Sequence, residues 1–375
     1  MAHPRRLNRG IVLLTTLLIL AVLIAIGWQM AGRQSIFIAQ HRQAFAVDQA
    51  LFYAMGAETF ARQLLHQDWS EGGPQKDTLL EIWAQAAPPF SIDNGVIEIR
   101  ARDLNGCFNL NSIADGQLGQ TAADTGDGDP EQASQPPLFE PDSPADSAGN
   151  IEPMTPVSGG QSRLGDAAVR MQRLRQLLLQ LGLPEDIADA WRDWVDFDEN
   201  VSGAGAEDGD YMLMEPAYRT ANQPAAHVSE LRLLRDMAPE VLDAIDDLVC
   251  TLPTASLKLN VNTARPEVLA SLSPSVNVEA LRAATEGPRD FADVGQFTQL
   301  FPELGNAVDA LTVTSEYFEV SIRAQVDDSA VQLVSVLRRD PASGQIELIS
   351  RDLSRNYQSL FAAASNQPTE SRQAP

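Results

Sequence analysis

Hydrophobic and polar positions are distributed unevenly, and the first break comes near the N-terminus. From Ile11 to Met30, IVLLTTLLILAVLIAIGWQM, no residue is charged, and Arg5, Arg6 and Arg9 stand directly before the run. A helix rises about 1.5 Å per residue, so this run reaches roughly 30 Å, the thickness of a bilayer's hydrocarbon core. Basic flanks stay on the cytoplasmic side, which predicts a single transmembrane helix with the N-terminus inside and the rest of the chain outside. Beyond Gln29 the helical period continues but becomes amphipathic, with Val47, Leu51 and Met55 at spacings of four and Phe45, Phe52 and Leu64 beside them. No proline interrupts the run before Pro74, so one helix is predicted from Ile11 to Leu65, its first half in the membrane and its second half packed on a soluble domain.

Later segments change period. Thr78 to Ala87 predicts a short helix closed by Pro88-Pro89, and the turn Asp93-Asn94-Gly95 leads into a half-buried strand over Val96–Arg102. Alternation returns only near the end, at Tyr317–Gln325, Val331–Arg339 and Gln345–Ser350, the last two joined by the hairpin loop Asp340–Gly344. Between them lie helical patterns: a run after Arg163 with Met171, Leu174, Leu177, Leu178 and Leu181, then Pro184–Trp194, Ser229–Arg235, Pro239–Leu248, Pro266–Leu272 and Pro288–Leu311. The predicted fold is therefore α+β, a long N-terminal helix packed on a small antiparallel sheet, with a large all-α domain inserted. The core comprises residues 31–110 and 313–355, the insert residues 163–312, and residues 356–375 form a flexible tail. Residues 111–162 contain no Lys or Arg and nine acids among many Pro, Gly and Ser, a composition that buries too little apolar surface to offset chain entropy and reads as a disordered acidic linker.

Charge narrows the range of functions. The chain has 27 Lys plus Arg against 51 Asp plus Glu, and three of the basic residues lie in the first ten, leaving 24 against 51 beyond Gly10. Such acidity repels nucleic acid and anionic lipid and suits cations. Two cysteines, Cys107 and Cys250, read as one disulfide in an oxidising compartment or as two buried thiols. The four histidines, His3, His41, His66 and His227, have no catalytic partner pattern; Ser229 and Glu230 near His227 lack a nucleophile elbow, and no enzymatic activity is expected.

The densest acidic stretch runs from Asp196 to Asp210. Asp196, Asp198, Asn200 and Glu207 fall at positions 1, 3, 5 and 12 of a calcium loop, but Val201 stands where an EF-hand needs glycine and Pro216 cuts off the exit helix. A calcium loop of another geometry and a merely solvated acidic loop are both compatible with that pattern. Asn260-Val261-Asn262-Thr263-Ala264 reads as the opening of a helix-hairpin-helix, yet residues 251–312 hold four basic side chains against seven acids, which points to packing and not to phosphate binding.

The apolar stretch fits a permanent anchor, a secretory signal whose ending at Trp28-Gln29-Met30 lacks small residues, or, because Gly10 precedes Ile11, a leader cut on the cytoplasmic face. The last arrangement resembles the N-terminus of type IV prepilins and type II secretion pseudopilins, in which the apolar helix stays on the mature protein. Most such proteins carry a glutamate at the fifth mature position, where this chain has Thr15. Further motifs resemble the type II secretion protein K family in order and spacing. They are Phe108-Asn109-Leu110-Asn111, Asp193-Trp194-Val195-Asp196-Phe197-Asp198, Gly205-Ala206-Glu207-Asp208 with Tyr211, Pro216-Ala217-Tyr218-Arg219 with Ala221-Asn222, Ser229–Leu233 and Asn260–Ala264. That family characteristically lacks the glutamate. The resemblance implies a pilin-like fold, cleavage between Gly10 and Ile11 by prepilin peptidase and methylation of the new amine. It further implies a single-pass inner-membrane protein with a periplasmic C-terminal domain, partnered by minor pseudopilins I and J and other pseudopilins. It implies calcium in the insert, with Asp196, Asp198, Glu207, Asp208, Asp210 and Asn222 as candidate ligands, and Cys107 and Cys250 tying insert to core. The expected function is capping of the pseudopilus tip and initiation of its assembly for protein export; the alternative is a membrane-anchored periplasmic calcium-binding protein unrelated to a filament.

Overall fold

The computed structural model describes residues 8–72, 75–85, 88–114 and 159–353. Helix α1 (Asn8–Gly72) is one continuous spine. Near its N-terminus an 18-residue window has a mean hydropathy of 2.2, so the helix is long and apolar enough there to cross a membrane. In its second half Ala46, Ala50, Ala54, Ala57, Ala61 and Leu65 are buried at spacings of three and four, and these small side chains let the helix lie close on the sheet beneath it.

After α1 the chain makes turns over residues 78–85, where the sequence predicts a short helix; residues 86 and 87 lie outside the described set. The reason is local. Thr78 accepts a hydrogen bond through Oγ1 from the Leu80 amide at 3.2 Å, which favours a turn, and Trp83 is buried edge-on against Phe318 at 5.1 Å between centroids. Strands β1 (Phe90–Ile92) and β2 (Gly95–Asp103) follow, then β3 (Phe108–Asn109). Residues 111–114, assigned by composition to the linker, instead complete a buried 3-10 helix, Leu110–Ile113, in the core of the insert. The rest of the predicted linker, residues 115–158, lies outside the described residues, as does the tail from residue 354.

The insert opens with α2 (Gly159–Gln180), which begins before the predicted end of the linker, and continues through α3 (Asp186–Val195), α4 (Asp208–Tyr211) and α5 (Pro239–Ile245). The short strands β4 (Val249–Cys250) and β5 (Leu259–Asn260) precede α6 (Pro266–Ala270), α7 (Val278–Ala284), α8 (Val294–Leu300) and β6 (Leu311–Thr312). Helix α7 has no counterpart among the sequence-predicted elements; its signal is Asn277, whose side chain accepts from the Glu279 and Ala280 amides as an N-cap. A continuous core joins Leu174, Leu177, Trp191, Tyr211, Leu259 and Phe297.

The chain then returns to the sheet in β7 (Tyr317–Val326), β8 (Ser329–Arg339) and β9 (Ile346–Asp352). Sheet order is β1-β2-β7-β8-β9, antiparallel throughout, with β7 central between strands from opposite sides of the insert. Phe318, Val320, Ile322, Ala324, Leu333 and Leu337 belong to the same buried cluster as the alanine face of α1.

Insert and core are joined by several bonds. The parallel ladder of β3 with β4 crosses the junction, and a second, β5 with β6, lies inside the insert beside its exit. Cys107 and Cys250 form a disulfide with Cα atoms 5.9 Å apart. Asn109 donates to the carbonyls of Thr254 and Ser256 at 2.6 and 3.1 Å, and Asn111 donates to those of Ala225 and Leu252 while accepting from the Ala225 amide. Asn260, fully buried, donates to the Asp77 carbonyl at 3.0 Å and the Ser315 hydroxyl at 2.8 Å. The asparagines of the helix-hairpin-helix-like segment are thus internal ties.

Candidate metal centre in the insert

Helix α3 sets up the acidic region. Asp189 and Asp193, one turn apart, face the loop that follows. Asp193 is fully buried and both its carboxylate oxygens accept from the Ser202 amide at 3.1 Å, while Asp189 accepts from the Ala204 amide at 3.2 Å and pairs with Arg175 at 2.5 Å. The loop wraps so closely that a Cβ at Gly203 would overlap Asp189 Oδ2 and one at Gly205 would overlap Asp193 Oδ2; Gly203 also has a φ of +56°. Glycine is required at both positions. Asp189 and Asp193 are not among the ligands expected from the sequence; their signal is the four-residue spacing that puts two acids on one helix face ahead of a glycine-rich loop.

Of the six predicted ligands, the structure separates two groups. Glu207 is buried, and neither of its carboxylate oxygens has a hydrogen-bond partner. Burial first, and then the charges of Asp193, Asp196, Asp198 and Asp208, push its pKa up to about 7. Asn222 sits in the left-handed region with φ +43°, held by its amide on the Trp194 carbonyl at 3.0 Å, and its side-chain oxygen is also buried without a partner. Asp196 is buried at the end of α3, and its Oδ2 lies 3.6 Å from Arg192. Asp198 is exposed and accepts from the amide and side chain of Asn200, which hold its carboxyl below the usual range.

Asp208 and Asp210 belong to the second group. Asp208 accepts from the amide and hydroxyl of Thr220 at 2.9 and 2.8 Å and lies 3.4 Å from Arg219. Asp210 pairs with Arg235 at 2.9 Å and accepts from the Glu207 amide at 3.4 Å. Both are already engaged in fixing the loop. Gly10 and Ile11 lie in the helical backbone of α1, and nothing is described of their side chains.

An ionised carboxylate buried without a donor is costly, and here four acids act on it together. Glu207, Asn222, Asp196 and Asp198 offer oxygen donors alone, without sulfur or imidazole, the donor type of a hard divalent cation. By donor type, and by the buried unpartnered oxygens of Glu207 and Asn222, these residues suit such an ion.

Comparison with known proteins agrees with this architecture. A family model described as type II secretion system protein K matches residues 106–254, the stretch that holds both cysteines and the acidic loop. The chain is 30% identical to type II secretion system protein K of Pseudomonas aeruginosa over 93% of its own length and 94% of that protein's. With the protein of the same name from Aeromonas hydrophila it shares 31% identity over 89% of this chain and 94% of that one. Among solved structures, a chain of the GspK-GspI-GspJ complex of the type 2 secretion system from enterotoxigenic Escherichia coli superposes with a TM-score of 0.62 at 22% identity, covering 84% of this chain and 99% of that chain. That likeness shows a common pilin-like fold, with a long helix on an antiparallel sheet and a helical insert. The near-full-length identities decide the matter: the chain belongs to the type II secretion system protein K family.

Proposed function

We propose that this protein is a minor pseudopilin of a bacterial type II secretion system, a non-enzymatic subunit that caps the pseudopilus with minor pseudopilins I and J and helps start its assembly. The observation that carries this reading is the two-faced spine. One face of α1 is alanine-rich and buried on the sheet, while Phe45 and Phe52, one heptad apart, remain 71% and 72% exposed. Large aromatic side chains repeated at helical spacing on a free surface suit packing against another helix. In this reading the N-terminal half of α1 spans the inner membrane, the remaining domains are periplasmic, and prepilin peptidase cuts between Gly10 and Ile11, after which the Ile11 amine is methylated. Thr15 in place of a carboxylate suits a subunit with no earlier neighbour to pair with, and the bulky insert would block addition above it. Calcium held by Glu207, Asp196, Asp198 and Asn222 would keep the loop after α3 folded.

The test is co-expression with prepilin peptidase and the cognate subunits I and J. The expected N-terminal peptide starts at Ile11, and the three subunits co-purify. The double substitution Phe45→Ser, Phe52→Ser lowers recovery of that complex at least tenfold while the far-ultraviolet dichroism is retained. A start at Met1 or Ala2, or no complex with the unaltered chain, would refute the reading.

A further inference from the structure

Away from the insert's acidic loop, a second group of acids lies where the spine, the sheet and the exit of the insert meet. One oxygen from each of Asp68, Asp77 and Glu81 lies within 4.8 Å of the others. Asp68 stands on the last turns of α1; Asp77 and Glu81 stand on the turns that follow. The guanidinium of Arg339, at the end of β8 and almost fully buried, joins Asp68 and Asp77, bonded to Asp77 Oδ1 and 3.4 Å from Asp68 Oδ2, with the Phe318 ring beneath it at 4.8 Å. Asp77 is also the tie to the insert's exit: its amide donates to the Val313 carbonyl at 2.7 Å and its Oδ2 accepts from the Ser315 amide at 2.7 Å. Glu81 accepts from the indole of Trp83 at 2.6 Å, the side chain that anchors the turns in the core.

We propose that Asp68 and Asp77, held on Arg339, form with the adjoining Glu81 a proton-operated latch that holds residues 75–85, and through them the exit of the insert, against the spine helix. This goes beyond the role of the protein in a filament and does not depend on it. One guanidinium cannot neutralise three ionised carboxylates at this separation, so the closed arrangement retains a proton that the open one releases. Arg339 already supplies the cation at the centre, and no metal is invoked.

The surrounding charges reinforce this direction. From α1, Glu71 adds a further negative charge beside Asp68, while His66 is turned to the Gly344 carbonyl at 2.7 Å. From the turns, Lys76 is taken up by Asp290 at 2.5 Å. At the end of β2, buried Asp103 accepts from Ser315 at 2.6 Å and Thr263 at 2.5 Å and faces Asp77. At the start of β7 and the end of β8, Glu316 and Arg338 lie 3.9 Å apart. Burial, then Asp77, brings Asp68 to about 6; burial, then Asp68 and Asp77 against the Trp83 hydrogen bond, brings Glu81 to about 7. Carboxylates raised in the closed state favour it at low pH, and that advantage is lost as pH rises from the ordinary carboxylate value through these raised ones.

The latch is tested by hydrogen exchange on the full chain in detergent micelles, with calcium present throughout, reading the peptide over residues 75–85 from pH 5 to 8.5. After correction for the intrinsic exchange rate, protection is expected to fall by up to about a hundredfold per pH unit between about pH 5 and 6, where two protons are released on opening, by up to about tenfold per unit from about 6 to 7, where one is, and to level off above. Peptides of α2 should not follow. Glu81→Gln keeps an acceptor for Trp83 and is expected to flatten the upper part of the profile; Asp68→Asn is expected to flatten the lower part, and flattening by either supports the latch. Constant protection in the unaltered chain, or an undiminished slope in both variants, overturns it. If a variant does not fold, carboxylate carbon-13 titration of the unaltered chain decides. A glutamate or aspartate of this group titrating between pH 5.5 and 7.5 supports the proposal, and titration of all three below pH 5 refutes it.

Discussion

Single residues in this protein carry charge into the interior, and each does so under different terms. Glu58 is almost fully buried on the sheet face of α1, where Arg351 of β9 reaches it through two hydrogen bonds at 2.6 and 2.8 Å and Ser335 through one at 2.9 Å. Burial alone would push its pKa up, but the Arg351 and Ser335 hydrogen bonds outweigh it and hold the carboxyl below the ordinary glutamate value. Its contribution is therefore complete at neutral pH and is lost as pH falls below that ordinary value. Because the arginine end of the pair is open to solvent and the glutamate end is not, the two truncations differ. Arg351→Met strands the buried carboxylate and is expected to cost about 2 kcal/mol, whereas Glu58→Gln keeps a hydrogen-bonding group and costs about 1 kcal/mol. Urea midpoints of the two variants check the order, and equal losses would show that Glu58 is hydrated after all. None of this is legible in the sequence, since Glu58 and Arg351 are nearly 300 positions apart in the chain and each resembles an ordinary surface charge.

Elements come next, and here the local pattern is most informative. The spine, the central strands and most helices of the insert follow from their periods, because each buries one stripe or one face whatever its neighbour is. What the pattern misses are elements too short to show a period. Strands β3, β4, β5 and β6 are two residues each, and they exist because the insert's two junctions bring distant backbones side by side. The disulfide sits on the first of these ladders and closes a span of 143 residues. Replacing both cysteines by serine should lower the unfolding free energy by about 2–4 kcal/mol through the gain in unfolded-chain entropy. In hydrogen exchange the loss should appear first in the insert's attachment, at residues 104–112 and 249–254. A variant as stable as the unaltered oxidised chain would mean that the asparagine ties and ladders already hold the junction.

At the scale of the whole molecule the dominant fact is net negative charge, −24 over the chain, with acids crowded where the fold buries them. Calcium is expected to offset that crowding at Glu207. Titration of the full chain by calorimetry should detect binding in the insert, and at free calcium a hundred times the dissociation constant the unfolding free energy should rise by about 2.7 kcal/mol. Glu207→Gln should weaken binding at least tenfold, and affinity of the unaltered chain should rise with pH through about 7, as the glutamate loses the proton that competes with the ion. Magnesium, which demands a tighter octahedral set, should substitute poorly. No heat of binding and no stabilisation by calcium would mean that the acidic loop is held by Ser202, Thr220 and Arg235 alone.

By itself the sequence determined the features that depend on a chain's own neighbours. These are an apolar run long enough to cross a bilayer, an amphipathic spine, alternating strands on either side of a helical stretch, and an acidic loop at one end of a helix. Tertiary structure alone decided what each of the acids faces. It set Asp208 against Thr220 and Arg219 and Asp210 against Arg235, and it turned Asp189 and Asp193, which look incidental in the sequence, onto the loop. It also decided that Asp68 and Asp77 share one arginine from a strand more than 250 residues away, with Glu81 beside them. The physical reason is that secondary structure responds to periodicity within a few turns, whereas the cost of a buried charge depends on every group within several ångströms, and chain folding alone chooses those neighbours.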